Sequence, residues 1–86
     1  MRSMWLVSQY HDTLFVSESM DIALAQVKKT FQIEYPLCSN YSYQYSIHHY
    51  KKYMLVIAKV VNKSGEVFHE ENYDISEVDV IEEGDL

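Results

Sequence analysis

One segment only, residues 19 to 35, places its apolar side chains at helical spacing; the other patterned stretches read as strands. Met20, Ala23, Leu24, Val27 and Phe31 recur at i, i+3, i+4, i+7 and i+11, which is one face of a helix. Ser19 is placed to cap the first turn, and Asp21 puts negative charge near the positive helix end. Lys28 and Lys29 are expected late in the helix, where cations are favoured, and Pro36 stops it because the residue before a proline avoids helical angles. A single helix cannot cover both faces of a sheet of several strands. The uncovered face must then be polar, self-associating or used for binding.

The strands are read from alternation. Trp5 to Gln9 and Leu14 to Val16 flank a short polar break and predict an opening hairpin, although no Asn-Gly or Asp-Gly marks its turn. Tyr41, Tyr43, Tyr45, Ile47 and His49 share one face of a strand, with Ser42, Gln44, Ser46 and His48 on the other. Tyr53 to Val61 is almost wholly apolar and reads as a central strand covered on both sides. Asn62-Lys63-Ser64-Gly65 predicts a turn, and Glu66 to Asn72 a shorter returning strand. The order ββαβββ implies a two-layer α+β domain, an antiparallel sheet with one helix on one face. We expect residues 1–73 to form this domain and 74–86 an acidic segment, a short extended element or helix before a frayed tail.

At 86 residues there is room for one modest core, with a radius of gyration of about 12 Å if compact, which excludes an enzyme with separate cofactor and substrate domains. One cysteine, Cys38, cannot form an internal disulfide and supports a reducing setting. The apolar start is too short for a signal-peptide core and no run approaches a membrane span, so a soluble cytoplasmic protein is expected, with no membrane partner.

Catalytic and metal chemistry find little support in the residues. Adjacent His48 and His49 point to opposite strand faces and cannot chelate one ion together. No glycine-rich elbow, oxyanion-forming loop or phosphate cradle accompanies Cys38 or any serine. The expectation is a non-enzyme with no cofactor and no metal.

Charge is the feature that points outward. Residues 1 to 65 carry seven basic and four acidic side chains, whereas 66 to 86 carry nine acidic and none basic, giving the net −6. Glu70, Glu71, Asp74, Glu77, Asp79, Glu82 and Glu83, with Phe68 and Tyr73 as anchors, are therefore the candidate surface for a basic, nucleic-acid-binding protein partner. Such a chain would regulate or inhibit its partner by occupying the groove that reads phosphate. Size, acidity and tyrosine content are similar to those of small phage-encoded inhibitors of host defence or transcription, an analogy of composition alone. Two other readings stand beside it. Tyr41, Tyr43 and Tyr45, if exposed on the uncovered face, could stack single-stranded nucleic acid. The uncovered face or an edge strand could instead pair two copies into a homo-dimer.

Overall fold

The computed structural model describes residues 2–80. Its elements follow as β1 (Arg2–Gln9), β2 (Asp12–Ser17), α1 (Met20–Glu34), β3 (Tyr41–His49), β4 (Tyr53–Asn62) and β5 (Val67–Val80). The five strands form one sheet in the order β2-β1-β5-β4-β3, every neighbouring pair antiparallel, with α1 on one face. This is the α+β domain that the ββαβββ order implies.

Local chemistry sets each boundary. The Ser19 hydroxyl accepts the Ile22 amide at 3.2 Å and caps α1, an interaction worth about 1 kcal/mol. The helix runs to Glu34 with Tyr35 as C-cap, so Lys28 and Lys29 lie in its body and its last turn carries no basic residue. Lys28 instead places Nζ 5.2 Å from the Tyr45 ring centroid. The β1–β2 turn uses two non-glycine residues at positive φ, Tyr10 at 52° and His11 at 70°. That pair of angles is the hairpin turn that Asn-Gly normally fills, which is why no turn signal stood out. In the β4–β5 turn the Asn62 side chain accepts the Ser64 and Glu66 amides, and Gly65 takes φ 87°.

Ala23, Val27 and Phe31 of α1 press on Val7, Met54, Val56, Ala58, Val60, Tyr73 and Ile75, and the buried large side chains contribute about 1.5–3 kcal/mol each. Met20 and Leu24, expected on the same helix face, are partly buried at the margin of this core.

Two departures from expectation shape the molecule. The break expected between Asn72 and Asp74 falls inside a strand: β5 continues to Val80 as the centre of the sheet. Residues 67 to 76 pair with β4 and 74 to 80 with β1. Acidic composition suggested a separate short extended element or helix from residue 74, but Tyr73 and Ile75 face the core and residues 74 to 80 continue the strand against β1. At ~3.3 Å per residue, 14 residues span about 46 Å. The two hairpins are thus staggered along one long strand, and the molecule measures 55 × 23 × 21 Å with a radius of gyration of 15.1 Å, well above the compact value. The second departure is β4, which is not covered on both sides: Met54, Val56, Ala58 and Val60 are buried, whereas Leu55, Ile57 and Lys59 are half-buried on the face away from α1.

Candidate functional site

Strand alternation divides the acidic residues of β5 between two surfaces. Tyr73 and Ile75 face the core, so Glu71, Glu77 and Asp79 stand on the helix side while Glu70 and Asp74 stand on the open face. The expected single anionic strip therefore does not exist as one surface. Tyr73 is fully buried and is a core residue, not a surface anchor. Glu82 and Glu83 lie outside the described residues.

On the open face Glu70 sits directly opposite Lys59, with Oε1 3.7 Å from Nζ. Four residues along β5, Asp74 lies opposite Leu55 and its Oδ1 accepts the Tyr53 hydroxyl at 2.7 Å, which holds the phenol above its ordinary pKa. Half-buried Leu55 and Ile57 flank these carboxylates on β4. On β1 the residue opposite Asp74 is Ser8; farther along the same face Leu6 lies opposite Ser76 and Met4 opposite Val78, and half-exposed Val16, paired with Leu6, continues this apolar stretch onto β2. The open face is therefore mixed, with Leu55 and Ile57 beside the two carboxylates and Leu6, Met4 and Val16 farther along β5.

On the helix side Glu71 is a junction. Its carboxylate accepts Gln9 Nε2 at 2.8 Å, the Tyr10 hydroxyl at 2.9 Å and the Tyr35 hydroxyl at 2.7 Å. Bonds to an ionised acceptor favour the neutral phenols, so Tyr10 is pushed above and Tyr35 well above the ordinary tyrosine value. The Tyr35 ring stacks on His69 with centroids 4.4 Å apart. Beyond His69 the sheet breaks register: Val60 pairs with His69 but Val61 with Val67, leaving Phe68 as an extra residue on β5. This bulge brings Phe68 edge-on to Tyr41 at 4.9 Å, and the two line a cleft of about 210 Å³ with Pro36, Cys38, Val60 and His69. Phe68 remains 53% exposed there, well apart in register from Asp74.

The tyrosine row is not on the uncovered face. Tyr43 and Tyr45 pack edge-on around Phe31 at 5.8 and 6.3 Å. The Tyr43 hydroxyl donates to the Tyr35 carbonyl at 2.6 Å, and the Tyr45 hydroxyl accepts from Gln32 Nε2 at 2.9 Å. These rings extend the core beneath the helix, so the exposed stacking strip that a nucleic-acid reading required is not formed.

Sequence reasoning missed the partners of Glu71, because Gln9, Tyr10 and Tyr35 reach it only through the β1–β5 pairing and the helix end. It also missed the open-face residues Leu6, Leu55 and Ile57. The unbroken apolar run of β4 was the signal for the last two, read as burial on both sides. Among the described residues no group of three or more His, Cys, Asp or Glu is placed to hold a metal ion, and no helix is long and apolar enough to cross a membrane. No family model, curated protein or solved structure matches the chain.

Proposed function

We propose that this chain is a small non-enzymatic binding protein that docks a basic protein partner on the open face of its sheet and thereby regulates or inhibits it. The observation that carries the reading is the composition of that face. Leu55 and Ile57 stay half-exposed beside Asp74 and Glu70, with Leu6, Met4 and Val16 farther along β5 on the same face. Apolar anchors with adjacent carboxylates, Asp74 and the Lys59-paired Glu70, suit a partner surface that combines apolar and cationic side chains. The chain's net charge of −6 would steer such a partner inward. A nucleic-acid-binding protein of a defence or transcription system is the partner class that this chemistry fits, since its basic groove already accepts anions.

Affinity capture of the tagged protein from a nuclease-treated lysate, eluted by a salt ramp, tests the reading. A stoichiometric basic protein released at moderate salt is expected with the wild type. It should be lost with the Leu55→Lys/Ile57→Lys variant, and its binding should lose salt dependence with Glu70→Gln/Asp74→Asn. Equal retention by wild type and the Leu55→Lys/Ile57→Lys variant would overturn the proposal.

A further inference from the structure

We propose that β3 is a pairing edge for a second copy of this chain, joining two sheets into one continuous ten-stranded sheet about a two-fold axis at Tyr45. β3 and β2 are the two edges of the sheet, and they differ sharply. β2 has six residues, begins with Asp12, and carries a register shift opposite Val7 and Ser8. Shortness, charge and bulges are the devices that blunt an edge against pairing. β3 has nine residues in unbroken register with β4 and contains no Lys, Arg, Asp, Glu, Pro or Gly. Each of the other four strands contains a formally charged residue. Two copies of a chain of net charge −6 can therefore pair along β3 without setting like-charged strand side chains opposite one another.

The backbone phase is fixed by the β3–β4 turn. The Tyr50 amide donates to the Tyr53 carbonyl at 2.7 Å, so hydrogen-bonded pairs with β4 fall on the even-numbered residues of β3. The amides and carbonyls of Tyr43, Tyr45, Ile47 and His49 consequently point outward. An antiparallel partner centred on Tyr45 engages Tyr43, Tyr45 and Ile47 fully: Tyr45 exchanges bonds with the partner's Tyr45, and Tyr43 with the partner's Ile47. This register also matches side chains. On the helix side half-buried Tyr45 meets the partner's Tyr45 and half-buried Tyr43 the partner's Ile47, extending the apolar layer around Phe31. On the open face exposed Gln44 lies opposite the partner's Ser46, and Ser42 opposite the partner's His48.

Sedimentation equilibrium of the full chain in the micromolar range should give twice the 10.2 kDa chain mass. The exposed pair Gln44→Lys/Ser46→Lys sets lysine against lysine across the seam and should return the chain to its single mass with an unchanged circular dichroism spectrum. Gln44→Glu/Ser46→Lys sets glutamate against the partner's lysine twice and should restore the double mass. In the wild type, amide exchange at Tyr43, Tyr45 and Ile47 should slow as concentration rises. A wild type of single mass throughout, or a doubly charged lysine variant that still doubles, would overturn the proposal. A folded Gln44→Glu/Ser46→Lys variant that stays single would overturn the register about Tyr45.

Discussion

Tyr73 is the residue whose environment is most at odds with its chemistry. It is fully buried, its hydroxyl has no hydrogen-bond partner among the described residues, and burial pushes its pKa up to about 12. A buried hydroxyl without a partner loses its hydration and gains nothing in exchange. Tyr73→Phe removes the oxygen and keeps the ring, so we expect stability to rise by about 1 kcal/mol in urea unfolding. Lower stability would mean that the hydroxyl makes a favourable interaction in solution. The alternation of β5 made Tyr73 legible as a strand residue, but not the side it faced. Shifting a strand's facing by one residue exchanges its two sides, and only the pairing of Tyr73 with Val56 and of Ile75 with Met54 decides which side is core.

Among the elements, β5 has the largest role. Among the described residues it supplies the only strand-pairing bridge between the β1–β2 hairpin and the β3–β4 hairpin, because β1 pairs there with β5 and β2 alone. Truncation after Tyr73 removes Asp74 to Val80, and with them the whole ladder to β1 and the buried Ile75. We expect this fragment to lose cooperative unfolding and the near-ultraviolet signal of Trp5, which is partly buried against the core. A fragment with a sharp melt would show that residues 1–73 fold alone. The helix was read almost completely from spacing, capping and Pro36, because those determinants are local. The length of β5 was not, because nine acidic residues after position 65 resemble a solvated tail unless the neighbouring β1 is taken into account.

For the whole molecule, Glu71 ties three distant parts together: the β1–β2 turn through Gln9 and Tyr10, the helix end through Tyr35, and the central strand on which it sits. The phenols of Tyr10 and Tyr35 are held above the ordinary value of 10.0, chiefly by their hydrogen bonds to this carboxylate. A group whose folded pKa is raised holds its proton longer in the native state. Its contribution is complete below pH 10 and is lost as pH rises through the folded value. Melting temperature should therefore fall from pH 10 upward, and fall less steeply in Glu71→Gln, whose neutral amide removes the charge acting on both phenols. Parallel alkaline profiles for the two proteins would exclude Glu71 as the cause.

Sequence alone determined the succession of elements, the single helix and its buried stripe, the clean alternation of β3, and the concentration of acid after residue 65. These depend on periods of two and 3.6 residues, on capping side chains and on proline, all of which act within a few positions. Tertiary structure alone decided the sheet order, the split of the β5 carboxylates between two faces, and the burial of the tyrosine row beneath Phe31. It also left Leu55 and Ile57 half-exposed. Those outcomes depend on contacts such as Glu71 with Gln9, 62 positions apart, and no local pattern encodes which strand will lie beside another.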